Sequence, residues 1–278
     1  MKTLQPSRGI VYVAWGDSFL KEAAASARQV RRHMALPIVL ITSQHTQHAA
    51  AFDDVVIVPF SNTYRDKILM NKSPFEQTIF LDTDTFVMEP LDQIFELLQR
   101  FDVVYQASAP SDHYKLEGVP MLAFDEPSAG LIAWRNSKQV SEFFDLWHSE
   151  YLEQQRANGS GAWDQRSLRS ALWHSNLKIF PLNRDWQLYS FEAGIAMNKV
   201  RMVHGRGRQA REAIAACNRY IGPRLYLPGL GFFRTLNTLP TDYLSLSARA
   251  LFLFAKRSLR LSLHKLGVWK LPKNTRPS

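Results

Sequence analysis

The feature that most constrains this chain is an alternation. Short apolar runs of strand length are separated by stretches with helical spacing. Gly9-Ile-Val-Tyr-Val-Ala-Trp15, Pro37-Ile-Val-Leu-Ile-Thr42, Val55-Val-Ile-Val-Pro-Phe60 and Gln77-Thr-Ile-Phe-Leu-Asp82 read as buried strands. Between the first two, Leu20, Ala23, Ala24, Ala27 and Val30 recur at helix periodicity, which predicts a helix over Ser18 to His33. Further helices are expected over Tyr64 to Lys72, Leu91 to Phe101, Ser137 to Gln154, Trp163 to Trp173 and Arg208 to Tyr220. Further strands are expected over Asp102 to Gln106, Ala129 to Trp134 and Val200 to Val203. Strand, helix, strand at this spacing predicts an α/β fold, a mixed and mostly parallel sheet flanked by helices. Residues 107–127, with three prolines and one glycine, read as a long surface loop of the kind that is usually functional. Tyr220 to Pro240 gives no clear pattern.

The chain has 278 residues, 46% apolar and 21% charged, which excludes a mainly disordered chain and allows a sizeable core. The net charge is +9, and nucleic-acid binding is the obvious reading. Its distribution argues against that. Residues 1–200 hold 19 basic and 23 acidic side chains, a net −4. Residues 201–240 hold 7 and 1, a net +6, and residues 241–278 hold 8 and 1, a net +7. The excess faces its anions from the last 78 residues only. A single cysteine, Cys217, excludes an internal disulfide and fits a reducing cytosol. Met1 to Gly9 shows no apolar secretory core, and no uncharged apolar run approaches the ~18 residues of a membrane span.

Three short patterns carry possible chemistry. Asp82-Thr83-Asp84 closes a predicted strand, the end at which open α/β sheets bind ligands. In continued extended geometry both carboxylates would share one face. Two like charges so close are costly unless a cation lies between them, and Mg²⁺ or Mn²⁺ suits oxygen ligands. The bland alternative is a solvated turn. His204-Gly205-Arg206-Gly207-Arg208 joins a strand to a helix, combining a metal-ligating imidazole with glycines and arginines suited to an anion. It also matches a dinucleotide fingerprint, but it stands too late in the chain and lacks the acidic residue about 20 positions on. Gly16-Asp17-Ser18 resembles the nucleophile block of SGNH hydrolases. The only Asp-x-x-His, Asp145 to His148, lies mid-chain in a helical pattern, so a turn with Asp17 or Ser18 as helix N-cap is the simpler reading.

Taken together the patterns resemble the GT-A fold (Rossmann-like) nucleotide-diphospho-sugar glycosyltransferases, and most closely glycosyltransferase family 8, the glycogenin and lipooligosaccharide galactosyltransferase group. The blocks occur in family order over residues 9–210: Tyr64-Arg-Asp-Lys67-Ile-Leu, Thr78-Ile-Phe-Leu-Asp82-Thr-Asp84-Thr-Phe-Val87, Pro127-Ser-Ala-Gly130-Leu-Ile, and Trp163-Asp164-Gln165-Arg-Ser-Leu168, followed by His204-Gly-Arg-Gly207. The resemblance implies that Asp82, Asp84 and His204 hold Mn²⁺ or Mg²⁺, with Asp82 also near the donor ribose. It implies that Ala14, Trp15 and Gly16 line the nucleotide pocket and that Lys67 contacts the donor sugar or phosphate. Asp164 and Gln165 would lie near the anomeric carbon and the acceptor. Ser128 stands where the family has Asn against the sugar. Gly205, Arg206, Gly207 and Arg208 would meet the pyrophosphate in place of the family's Lys. The implied activity is metal-dependent sugar transfer from a nucleotide sugar, UDP-linked by preference, to a glycan or lipid-linked acceptor in polysaccharide biosynthesis, with retention of configuration. The alternatives are an SGNH-type esterase using Ser18 and a non-catalytic nucleotide-sugar-binding protein.

Residues 1–240 are read as the catalytic domain and 241–278 as a basic helical C-terminal extension. There Arg249, Lys256 and Arg260 share one side of a helical wheel, with Leu244, Leu251, Ala255, Leu266 and Trp269 roughly opposite. Such segments lie at anionic membrane surfaces, which would place a cytosolic protein peripherally at the inner face of the membrane. A helix packed on the catalytic domain is the alternative. No nucleic-acid partner is expected.

Overall fold

A computed structural model describes residues 7–109, 115–158 and 163–234, with isolated helical residues at 247–248, 251–252 and 255. The expected extension over 241–278 therefore lies almost wholly outside the described residues. The chain opens with β1 (Arg8–Val13), α1 (Asp17–Val30), β2 (Ile38–Thr42) and β3 (Asp54–Ile57). A 3₁₀ helix over Tyr64–Lys72 leads to β4 (Gln77–Leu81), β5 (Thr85–Val87), α2 (Gln93–Leu97) and β6 (Val103–Ser108). Then come β7 (Glu126–Arg135), α3 (Lys138–Asn158), α4 (Asp164–His174), β8 (Ile179–Leu182), β9 (Leu188–Tyr189) and β10 (Gly194–Ala196). The last described elements are β11 (Met202–His204), α5 (Gly207–Ala216), β12 (Arg224–Leu227) and β13 (Gly231–Arg234).

Seven strands form the main sheet in the order β3-β2-β1-β4-β7-β6-β8. Every neighbouring pair is parallel except those of β7, which runs antiparallel to both β4 and β6. The sheet is mixed and mostly parallel, as expected. Apolar residues on consecutive positions make this possible, because helices cover both faces. Ile10, Tyr12 and Ala14 pack with α1 and α2, while Val11 and Val13 pack with α3 and α4. Each fully buried side chain of this size contributes about 1.5–3 kcal/mol of transfer free energy. Two smaller sheets, β5-β11-β9 and β10-β12-β13, share a third core of Leu188, Val203, Ala213, Cys217 and Tyr226.

The differences from the sequence reading have local causes. The N-cap of α1 is Gly16 at φ 72°, not Asp17 or Ser18. The turn out of β1 needs a positive φ that glycine adopts without a Cβ penalty. Strand β3 stops at Ile57, before Pro59, which has no N–H to give a ladder. The helix expected over Leu91 to Phe101 keeps α geometry only at Gln93–Leu97, since Gln99 and Arg100 close i→i+3 bonds to Glu96 and Leu97. Helix α5 ends at Ala216 rather than Tyr220, and the patternless stretch after it holds β12 and β13. The expected loop over 107–127 is shorter, because β6 runs to Ser108 and β7 begins at Glu126. No helix among the described residues is long and apolar enough to cross a membrane.

Candidate metal and donor site

The site lies at the edge of the main sheet where the parallel strands β1 and β4 end. Strand β4 delivers Asp82, whose N–H donates to Gly130 O at 3.0 Å as the last rung to β7. The chain then turns through Thr83 and Asp84, rather than continuing extended, and Thr85 Oγ1 donates to Asp82 O at 2.7 Å to close the turn. Behind it, Thr85 Oγ1 lies 3.1 Å from Ser26 Oγ, which is 2.8 Å from the Tyr12 hydroxyl. Strand β11 pairs antiparallel with β5, placing His204 opposite Thr85, and Gly205 N donates to Asp84 O at 3.0 Å. Two segments some 120 positions apart thus meet at fixed register. His204 Nε2 lies 3.0 Å from Asp84 Oδ1 and 3.9 Å from Asp82 Oδ2.

Packing fixes the imidazole. Its ring lies 5.0 Å from the Tyr189 ring, and its edge meets Gly130, where a Cβ would stand 2.6 Å from Nδ1. Nδ1 is buried without a hydrogen-bond partner. Gly205, at φ 136°, has no room for a Cβ beside Ser190 Oγ. Ser128 is 0% exposed, and its Oγ accepts from Gln187 Nε2 at 2.8 Å, from Gly130 N at 3.0 Å and from the Tyr189 hydroxyl. It lies beneath Tyr189, with no open face towards a ligand.

A chain of charges surrounds the three residues. Lys67, from the 3₁₀ helix, lies 3.0 Å from Asp82 Oδ2 and 2.7 Å from Asp164 Oδ2. Burial acts to lower the Lys67 pKa, but Asp164 and Asp82 outweigh it and raise it, so the ammonium stays charged. The buried Asp66 anchors that helix by accepting from Ser61 N and Oγ and from Thr63 N. Asp164 opens α4, and its carbonyl accepts from the buried indole of Trp147 on α3 at 3.1 Å. On the other flank, Arg206 Nη1 lies 3.1 Å from Asp84 Oδ2, while its Nε and Nη2 each donate to Glu22 at 2.8 Å. Burial would raise the Asp84 carboxyl, but contact with His204, and then the Arg206 guanidinium, hold it down to about 2.

The remaining expected residues divide. Ala14, Trp15 and Gly16 leave the sheet beside the carboxylates, because β1 and β4 are parallel neighbours. The Trp15 ring packs 5.9 Å from Phe19 and 5.6 Å from Phe60. The Gln165 side chain turns to Glu126, donating to Oε1 at 2.9 Å, and makes no hydrogen bond to the charged chain among the described residues. Gly207, at φ 73°, is the first residue of α5. Arg208 is 78% exposed on its side chain and pairs with Glu212 at 2.6 Å, apart from the carboxylates. The Ser18 side chain is exposed, and its hydroxyl makes no hydrogen bond among the described residues; the histidine near it, His48, bonds Asp17 at 3.0 Å. Sequence reasoning missed Glu22, Tyr189 and Trp147. Glu22 had a signal: it precedes by one helical turn Ser26, a buried polar residue in the apolar stripe of α1.

The donor set fits a hard divalent cation. One ligand atom from each of Asp82, Asp84 and His204 can be chosen so that all lie within 4.8 Å of one another. Two carboxylates and one imidazole suit Mg²⁺ or Mn²⁺. The linked ionic groups are Asp82, Asp84, Asp164 and Glu22 against Lys67 and Arg206. These six side chains sum to −2, the charge a divalent cation balances.

No protein-family model matches this sequence, and no curated protein matches it. The likeness to glycosyltransferase family 8 therefore rests on the motif blocks. Among solved structures the chain is similar to the apo structure of the WbbM bifunctional glycosyltransferase, with TM-score 0.50 and 13% identity over 75% of this chain and 47% of that one. It is also similar to the glycosyltransferase GlyE of Streptococcus pneumoniae TIGR4, with TM-score 0.47 and 16% identity over 65% of this chain and 46% of that one. The chain spans about half the length of each. At this identity the WbbM likeness is one of fold: the mixed, mostly parallel sheet flanked by helices is also that of a glycosyltransferase.

Proposed function

We propose that this protein is a metal-dependent glycosyltransferase that moves a sugar from a nucleotide-sugar donor, UDP-linked by preference, to a glycan or lipid-linked acceptor. The observation that carries the reading is the convergence of Asp82, Asp84 and His204 at the ligand-binding end of the sheet. Asp82, Asp84 and His204 would hold Mn²⁺ or Mg²⁺. When bound, such an ion supplies Lewis-acid stabilisation to the departing nucleoside diphosphate. Trp15 and Gly16 would line the nucleotide side. Lys67 bridges Asp82 and Asp164 and would orient the donor sugar beside them. Asp164, fixed by Trp147, would face the reacting carbon, and Gln165 would act on the acceptor side with Glu126. Arg206 is committed to Glu22 and Asp84 and the Gly205 N–H to Asp84 O, so Gly207 and the free N–H groups at the start of α5 are the better partners for the pyrophosphate. Ser128 would support Tyr189 rather than touch the sugar. Retention of configuration is proposed from the motif resemblance. The split into a catalytic domain over 1–240 and a membrane-facing basic tail over 241–278 is proposed from the charge and helical-wheel pattern of that tail.

A screen of nucleotide sugars with Mn²⁺, read as released nucleoside diphosphate, tests the reading. At least one donor should turn over. Binding of a nucleotide sugar without turnover with any acceptor class would favour a non-catalytic role, and ester hydrolysis abolished by Ser18→Ala would overturn the proposal.

A further inference from the structure

The ion pair between Glu22 and Arg206 presents an electrostatic problem. A guanidinium 3.1 Å from a metal-ligating carboxylate opposes any cation placed there. Arg206 nevertheless has a structural use. It takes Asp84 Oδ2, which leaves Oδ1 facing His204, and so fixes the carboxylate rotamer. Glu22 answers the charge. Its Oε1 and Oε2 accept both parallel N–H groups of Arg206 at 2.8 Å, the fork-to-fork geometry that gives the strongest such pairs. Glu22 Oε2 also accepts from Thr83 Oγ1 at 3.1 Å, so α1 is tied to the residue between the two aspartates. Arg206 further lies over the Phe19 ring at 5.5 Å, on the same face of α1.

We infer that Glu22 is a positioning and charge-balancing residue that sets the affinity of the Asp82–Asp84–His204 cluster for a divalent cation. It acts through Arg206: with Glu22 ionised, Asp84 is anchored by a cation whose charge is already cancelled. The linked set of Asp82, Asp84, Asp164, Glu22, Lys67 and Arg206 keeps its −2, where removal of the Glu22 charge would leave −1. The inference rests on the proposed metal site but concerns binding, not turnover. It assigns a metal-site role to a helix α1 residue that no motif marks.

The test is Mn²⁺ titration of the full chain by electron paramagnetic resonance, with no sugar donor present. The variants are Glu22→Gln, Arg206→Gln and the double variant, each checked for folding by circular dichroism. Glu22 is 30% exposed on its side chain and Gln is isosteric, so the fold is expected to persist. Glu22→Gln should weaken Mn²⁺ binding by about fivefold or more at low salt, and the deficit should shrink as ionic strength rises. A packing role alone would leave it insensitive to salt. The double variant, which removes both charges, should bind more tightly than Glu22→Gln alone. Wild-type affinity in Glu22→Gln, a salt-independent deficit, or a double variant as weak as the single would overturn the inference while leaving the metal site standing. Absence of Mn²⁺ binding by the wild-type chain would overturn both.

Discussion

Replacing Gly130 by alanine isolates the geometry of the site from its charge. Gly130 lies in the middle of β7, one residue past its last pair with β4, and its carbonyl accepts from Asp82 N at 3.0 Å, so its backbone cannot retreat without losing that bond. The added methyl would stand 2.6 Å from His204 Nδ1 and overlap the neighbouring ring carbon. Ordinary contact needs roughly 3.5–4 Å. The imidazole must therefore move by about 1 Å, against Tyr189 on one side and the β5–β11 ladder behind it. Overpacking of this kind costs about 1–3 kcal/mol. For a domain of this size that lowers Tm by roughly 2–12 °C. The effect on metal should be larger than the effect on stability, because a ligand nitrogen displaced by that distance loses its place beside the carboxylates. We expect Mn²⁺ affinity to fall about tenfold or more. The assay is thermal unfolding together with Mn²⁺ titration, on Gly130→Ala and on Gly130→Ala with His204→Ala. The second substitution removes the ring that the methyl strikes, so Tm should recover while metal binding stays lost. A Gly130→Ala protein with unchanged Tm and unchanged Mn²⁺ affinity would refute the packing account.

Lys67→Met should destabilise the fold by about 3 kcal/mol, seen in urea unfolding, because it leaves Asp82 and Asp164 without their shared cation in a mostly buried site. An unchanged midpoint would contradict the assignment of Lys67 as the cation that bridges them. Away from the site, Asp102 accepts from Arg135 at 2.6 Å and from Lys178 N at 2.9 Å. Burial would raise its carboxyl, but the bonds from Lys178 and Arg135 outweigh it and hold it below the usual range. A depressed folded pKa gives stability that is full above the unfolded value of about 3.9 and is lost as pH falls through the folded one. The destabilisation caused by Asp102→Asn should therefore shrink as pH falls below about 4. A difference that stays constant to pH 2 would be inconsistent with that carboxyl being ionised in the fold.

How far the sequence reveals such a site depends on what kind of contact builds it. The strands of the main sheet were legible because burial on both faces leaves unbroken apolar runs, as in Ile10 to Ala14 and Ile38 to Ile41. Asp82, Asp84 and His204 were legible as chemistry, since their types and strand-end positions need no tertiary knowledge. Their approach was not. It depends on β5, three residues long, pairing with β11, also three residues long, and runs that short carry no periodicity. Tyr189 fails for the same reason, standing in a two-residue strand. Ser128 shows a different limit. Its place in the motif suggested contact with sugar, but the Gln187 and Tyr189 side chains that bury it come from 59 and 61 positions away. Arg206 looked like a phosphate ligand until its partner Glu22 appeared, 184 positions earlier in the chain.

The central claim is that a divalent cation held by Asp82, Asp84 and His204 supports turnover of a nucleotide sugar. It is tested most directly by the initial rate of nucleoside diphosphate release from the best donor, for wild type and Asp84→Ala, each with Mn²⁺ and with excess EDTA. Chelation and substitution should each lower the wild-type rate about 100-fold or more, and chelation should add little to the loss in Asp84→Ala, since both remove the same ion. A rate that survives EDTA, or an Asp84→Ala variant as fast as wild type, would contradict the account.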